Sequence, residues 1–227
     1  MNEKTIEQLQ KEHWKKMLTK HGDQPQAVGS ESMPHKFLRY ERISCLFRDN
    51  SDFSLLDLGA GVGDYFGYIK ANFAKHNINY TGLEITKEFC DIARINHPGI
   101  FIKCQNILDE EASETYDYVI LSGVFHQYGK ARIENWENQM ERLIMRAYEI
   151  CNKGIAFNVL SNYVDYHKEG NYYGNLCKII DFIVLRLSRF LSVDHTYPLF
   201  EATFCVYKPS YIRSLYPEPE FQKYLKK

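Results

Sequence analysis

Ser54-Leu-Leu-Asp-Leu-Gly-Ala-Gly-Val-Gly-Asp-Tyr-Phe-Gly-Tyr68 is the stretch on which the reading of this chain turns. Leu55, Leu56 and Leu58 form a short apolar run of the kind a buried strand shows. The run stops at Gly59, Gly61 and Gly63, where a backbone without Cβ can turn sharply and come close to a ligand. From Asp64 onward, Tyr65, Phe66, Tyr68, Ile69 and Phe73 suit a partly buried helix. A parallel sheet with crossover helices places such a glycine turn at the carboxyl end of a strand, beside a helix N-terminus, where α/β sheets bind ligands. The spacing is G-x-G-x-G. The third glycine comes one residue too early for the dinucleotide fingerprint G-x-G-x-x-G, and no G-x-x-x-x-G-K-[ST] phosphate loop occurs.

Downstream, strand and helix patterns alternate, as βαβ units require. Residues 78–84 read as a second strand ending in Glu84, and residues 86–95 as a helix with Thr86 as N-cap and Pro98 beyond its end. A third strand and its exit fall in 99–108, and a fourth in 116–122, leading to Gly123-Val-Phe-His126. Residues 133–150 have helical spacing, with Asn152-Lys-Gly154 expected to close that helix at a glycine stop. A fifth strand spans 155–160. The loop 161–174 carries Tyr163, Tyr166, Tyr172 and Tyr173 and is expected to cover the substrate side. Apolar positions from Leu176 to Leu191 predict a helix, and 191–195 and 201–207 an antiparallel strand pair. After it, Pro209, Pro217 and Pro219 suggest a loosely held tail. Upstream of the glycine turn, Ile6, Leu9, Trp14, Met17 and Leu18, then Phe37, Tyr40, Ile43 and Phe47, give two helical faces separated by a loop over 21–34.

The chain has 227 residues and is 44% hydrophobic, which suits one large α/β domain. Within residues 1–227 the expected parts are an N-terminal helical segment (1–50), a core (51–208) and a C-terminal tail (209–227). A net charge of −1 speaks against an electrostatic nucleic-acid binder. The six cysteines stand singly with no C-x-x-C pair, as expected of buried thiols in a reducing cytoplasm rather than of a disulfide framework or zinc site. No signal peptide opens the chain, and the most apolar stretch, 179–187, is broken by Asp181 and Arg186, so a core helix is expected there and no membrane association.

The pattern D-x-G-x-G-x-G starting at Asp57 resembles motif I of the class I S-adenosylmethionine-dependent methyltransferases, and an acid there suits an ammonium-bearing ligand better than a pyrophosphate. The resemblance covers about residues 53–208. It implies a Rossmann-like seven-stranded sheet of order 3-2-1-4-5-7-6, last strand antiparallel, with helices on both faces and an N-terminal helical lid. It also implies that S-adenosylmethionine, or its product S-adenosylhomocysteine, is held by the first loop through Asp57, Gly59, Ala60, Gly61, Gly63, Asp64 and Tyr65. Glu84 would then accept hydrogen bonds from the ribose hydroxyls, with Ile85 beside it. Asn106 and Ile107 would meet the adenine, and Ser122, Gly123 and Val124 would lie along the cofactor. From the lid, Arg39 in the cluster Lys36, Arg39 and Arg42 would be near enough to meet a carboxylate. The segments S-G-V-F, A-F-N-V-L-S-N-Y-V-D-Y and H-T-Y-P-L-F-E-A-T-F-C-V-Y-K look like those of small bacterial methyltransferases often associated with surface-saccharide or secondary-metabolite pathways. His126 stands where Asn is more often found in that set.

Methylation of base amino groups would favour an N/D-P-P-Y/F loop after the fourth strand, and this chain has Ser122-Gly-Val-Phe125. A catechol-type divalent metal would want acids in the same place, and none occurs between Ser122 and Glu134. The expected reaction is therefore metal-free O-methylation of a small hydroxyl- or phosphate-bearing acceptor, such as a sugar, nucleotide-sugar or capsular modification precursor, by a monomer or homodimer. The alternatives are a non-catalytic cofactor-binding regulator or scaffold, and a protein methyltransferase. An alcohol acceptor must lose a proton, which a neutral imidazole within hydrogen-bond reach can take. His126 and His195 are the strand-end candidates, and His35, in the lid, is the third.

Overall fold

The computed structural model describes residues 4–22, 24–48, 52–109 and 114–225. Strand β1 (Phe53–Leu58) alternates its side chains between two cores. Leu56 and Leu58 join one core with Trp136, Met140, Ile144 and Ile183, and Leu55 joins the other with Tyr40, Ile43, Tyr65, Ile69, Tyr211 and Ile212. A strand buried on both faces belongs in the middle of a sheet. Accordingly β1 pairs in parallel with β2 (Ile78–Glu84) on one side and β4 (Tyr116–Leu121) on the other. Next to β2 lies β3 (Ile102–Cys104), and next to β4 lies β5 (Cys151–Ser161). A two-residue strand, β6 (Tyr173–Gly174), pairs with the end of β5. Beyond β5 come β8 (Glu201–Tyr207), antiparallel to it, and then β7 (Leu191–Asp194) at the edge. The path is β3-β2-β1-β4-β5-β8-β7, which is the expected seven-strand order once β6 is set aside.

Helices α1 (Ile6–His21) and α2 (Met33–Ser44) form the N-terminal segment. Thr5 and Gln8 close a capping box on α1, and Ser32 caps α2 by accepting from the His35 N–H. Between the sheet strands run α3 (Asp64–Asn72), α4 (Lys87–Asn96), α5 (Ile133–Ile150) and α6 (Leu176–Arg186), with α7 (Pro209–Leu215) after β8. Among the described residues no helix is long and apolar enough to cross a membrane.

Three local expectations are corrected. Gly154 does not stop α5: the helix ends at Ile150, the chain passes directly into β5, and Gly154 lies inside that strand. A Cβ there would stand 2.8 Å from the Val206 carbonyl oxygen, so close strand approach, not helix termination, is what this glycine serves. Residues after 208 are not a loose tail: α7 buries Tyr211 and Ile212 in the second core, and Leu225 joins them. The helix from Leu176 ends at Arg186, short of Leu191, where the edge strand begins.

Candidate functional site

Strand order reverses between β1 and β4, and the loops leaving their carboxyl ends open into a cleft. Gly59 and Gly61 both have positive φ, 84° and 54°. A Cβ on Gly59 would come within 2.6 Å of Val124 Cγ2, whereas one on Gly61 would meet only Val28 Cγ1, at 3.5 Å, across the cleft. The first glycine lets the β1 and β4 exits touch, and the second keeps the cleft floor low. Ala60, Ile85, Ile107, Gly123 and Val124 line the same cleft, and Trp14, Val28, Ser30, Lys36 and Arg39 close it from the N-terminal side.

Glu84 ends β2 and is 6% exposed. Its Oε1 accepts the Thr86 N–H at 2.7 Å and its Oε2 the Gly61 N–H at 3.1 Å. Burial pushes its carboxyl up, and the backbone donors work against that push. Each oxygen keeps a lone pair, so the carboxylate can still receive a vicinal diol. Asn106 is held by the Leu108 N–H on Oδ1, at 3.1 Å, while its Nδ2 donates to Glu7 of α1 at 2.9 Å. The Ser122 hydroxyl lines the cleft buried and, among the described residues, without a hydrogen-bond partner. A buried orphan hydroxyl calls for a partner, and a polar ligand in the cleft supplies one. Asp64 opens α3 and receives Lys36 Nζ at 2.5 Å, an ion pair joining the lid to the glycine loop. Lid contacts recur farther out: Gln10 donates to the Gln127 carbonyl at 2.9 Å, and Lys15 pairs with Glu88 at 2.8 Å.

Three residues expected in the cleft do not line it. Asp57 is buried beneath the loop, where the Tyr80 hydroxyl donates to its Oδ2 at 2.6 Å, and burial raises its carboxyl to about 7. As a neighbour of Leu56 and Leu58 on a pleated strand, it faces the opposite core. Gly63 is an α3 N-cap with φ 80°, and a Cβ there would stand 2.8 Å from Ile100 Cδ1 and 3.3 Å from Ala93 Cβ, so it serves packing against α4. Tyr65 is likewise in the core, its hydroxyl 2.8 Å from Ser44 Oγ.

A second cavity, of about 400 Å³, adjoins the first, and Ser30 and Arg39 line both. Arg39 is fully engaged by a partner the sequence did not point to. Its Nε and Nη2 donate to Glu201 Oε2 and Oε1, at 3.0 and 2.5 Å, and its Nη1 to Ser30 Oγ at 3.3 Å. Asn158 Nδ2 donates to the same Glu201 carboxylate at 2.5 Å, and Asn158 Oδ1 accepts the Gly123 N–H at 2.8 Å. Arg39 thereby holds the Glu201 carboxyl well below the usual range against the cost of burial. Each residue left a mark of its own, Glu201 at the start of the apolar stretch 201–207 and Asn158 inside the run Ile155-Ala-Phe-Asn-Val, but neither mark pointed to Arg39. Arg42, by contrast, turns away to Glu41 and Asp194.

The three histidines separate. His195 is exposed beyond the edge strand and lines neither cavity, because β7 lies outside β8 and carries it off the site. His126 lines the second cavity, but burial and the Arg39 charge outweigh Glu201 and push its imidazole down to about 4. Its Nε2 lies 3.2 Å from Asn158 Nδ2. With Asn158 Oδ1 committed to Gly123, hydrogen-bond matching makes that nitrogen the acceptor and puts the His126 proton on Nδ1. Burial thus works against the proton uptake near neutral pH that a general base needs. His35, on α2, lines the second cavity with Nε2 3.6 Å from Glu201 Oε1. Of the tyrosine loop, Tyr166 and Tyr173 line this cavity, while Tyr172 turns into the core. No cluster of metal-binding side chains occurs among the described residues.

Against known proteins, residues 56–154 match a family model described as a methyltransferase domain. The curated Mycobacterium tuberculosis protein Rv1506c, whose name assigns it provisionally to the methyltransferases, is 31% identical over 164 residues, covering 70% of this chain and 95% of that protein. The structure of magnesium protoporphyrin IX methyltransferase from Synechocystis PCC 6803, with bound S-adenosylhomocysteine, matches with a TM-score of 0.59 at 11% identity, over 90% of this chain and all of that one. The N-methyltransferase NodS of Bradyrhizobium japonicum WM9, in complex with the same product, matches at 0.59 and 13% identity, over 86% of this chain and 96% of that one. At such identities the structural likeness is one of fold.

Proposed function

The chain belongs to the class I S-adenosylmethionine-dependent methyltransferases, and from that premise we propose that it methylates a hydroxyl oxygen of a small acceptor carrying no phosphate. The observation that supports this choice of acceptor is the pairing of the cations around the second cavity. Arg39, the buried cation of the lining, is bound twice to Glu201, and Lys168, more than half exposed, is 2.5 Å from Glu31 Oε1, so among the described residues no unpaired Arg or Lys faces the cavity. Gln26, Gln127 and Asn171, with the aromatic faces of Tyr166, Tyr173 and Phe200, suit a neutral hydroxyl-rich molecule of the sugar class to which the sequence resemblance points.

When bound, S-adenosylmethionine supplies a methyl group on a positively charged sulfur. In this reading Glu84 holds the ribose diol, Asn106 and Ile107 the adenine, and the unpartnered Ser122 hydroxyl the amino-acid end. Trp14 and Val28 exclude water above the glycine loop, which favours transfer by positioning two reactants in a dry pocket.

Calorimetric titration with S-adenosylmethionine, S-adenosylhomocysteine and NAD, followed by tritiated-methyl transfer to neutral glycosides and to sugar phosphates, tests the reading. Binding of the first two and transfer to glycosides is the expected result. Transfer only to phosphorylated acceptors would refute the acceptor assignment, and binding without transfer to any acceptor class would indicate a non-catalytic binder.

A further inference from the structure

Glu201 is 1% exposed and stands among four groups from three other elements: Arg39 and His35 of α2, Asn158 of β5 and His126 of the β4 exit. A buried carboxylate with this many partners does more than neutralise one arginine. His126 cannot use it freely, because its Nε2 faces the Asn158 amide at 3.2 Å. His35 is different. Its Nε2 faces Glu201 Oε1 at 3.6 Å, its ring retains 19% exposure, and among the described residues no hydrogen bond occupies its Nδ1. It lies one helical turn before Arg39, the residue that lines both cavities, so it stands beside their junction.

We propose that His35 of the lid helix takes the acceptor proton at Nδ1 and that Glu201 is the positioning residue that keeps the His35 proton on Nε2. This rests on the O-methylation reading above. In the transfer, the acceptor hydroxyl proton passes to Nδ1 while the oxygen forms its bond to the methyl carbon. The carbon–sulfur bond breaks, and its electron pair stays on sulfur. The imidazolium so formed faces the Glu201 carboxylate, and the other charged groups near it are Arg39 on its own helix and Glu31 before that helix. A carboxylate beside one ring nitrogen fixes the tautomer and the direction in which the other points. The base then arrives with the lid, so proton removal is competent only when α2 is seated on the cleft.

The test reads the ring nitrogens directly. The full chain is treated with diethyl pyrocarbonate at about pH 8, with and without S-adenosylhomocysteine, and each histidine is followed by mass spectrometry. His35 should react, should keep reacting with the cleft filled because it faces the acceptor cavity, and should slow several-fold in Glu201→Gln, while His126 stays unmodified. Glu201→Asp, which retains the charge, should recover much of the rate, and if the glutamine variant does not fold, the 15N shifts of His35 in the parent chain give the tautomer directly, with the proton expected on Nε2. An unchanged His35 rate in a folded Glu201→Gln chain, a His35 proton found on Nδ1, full protection by S-adenosylhomocysteine, or preferential reaction at His126 would overturn the proposal. Calorimetry on the same samples separates it from the reading beneath it: failure to bind S-adenosylhomocysteine counts against the cofactor assignment, whereas the Glu201 dependence of the His35 rate reads on the pair itself.

Discussion

Asp57 and His126 are both buried next to ionisable partners, and both should reveal themselves in pH-dependent stability. Asp57 keeps its proton to about pH 7 in the folded chain, while an unfolded aspartate loses it near 3.9. As pH rises between those values the unfolded state is favoured, so stability is lost across that window. Asp57→Asn, in which Tyr80 can still donate to the amide oxygen, should gain on the parent by up to about 4 kcal/mol between pH 4 and 7 in urea titrations. His126 runs the other way: its folded value of about 4 lies below the unfolded value near 6.5, so the stability it confers is present above about pH 6.5 and lost as pH falls to 4. His126→Asn should remove up to about 3 kcal/mol of that acid dependence, read by the same titration. At the cleft, Glu84→Ala should weaken S-adenosylhomocysteine binding at least tenfold by calorimetry, the effect expected of losing a buried carboxylate paired to two hydroxyls. The glycines and Glu84 were legible because turn geometry and strand-end acids leave their mark on spacing. The inward turn of Asp57 was not, since a strand buried on both faces has no polar side to give its direction away.

At the scale of elements, periodicity located the strands and helices because each has a buried stripe to satisfy. It misread the places where two elements meet. Gly154 looks like a stop signal after an amphipathic helix, but only the neighbouring β8 backbone explains it. Gly154→Ala should therefore destabilise the fold by about 1–3 kcal/mol through forced separation of β5 and β8, measured by chemical denaturation. The ordered end of the chain was hidden for a similar reason. Prolines suggested a tail, yet Pro209 sits in the first turn of α7, where a missing N–H costs nothing. The pairing of Arg39 with Glu201 was beyond local reading altogether, being set by the insertion of β8 next to β5.

For the whole molecule, the cleft draws its walls from the lid and from both halves of the sheet, so a ligand held there should stabilise the entire fold. Saturating S-adenosylhomocysteine at about 100 times its Kd should add about 2.7 kcal/mol, seen as a rise in Tm, and NAD at equal concentration should add none. The seam between Arg39 and Glu201 also bears on how the protein is made. The two residues are separated by 162 positions, and β8 is the last strand of the sheet to leave the ribosome. Until it arrives, the lid helix carries an arginine with no carboxylate to bury against, and β5 has an unpaired edge beside it. A nascent or truncated chain ending before Glu201 should then leave Arg39 unpaired and the β5 edge open and bind chaperones, so the lid helix finds its last partner only when the sheet is complete.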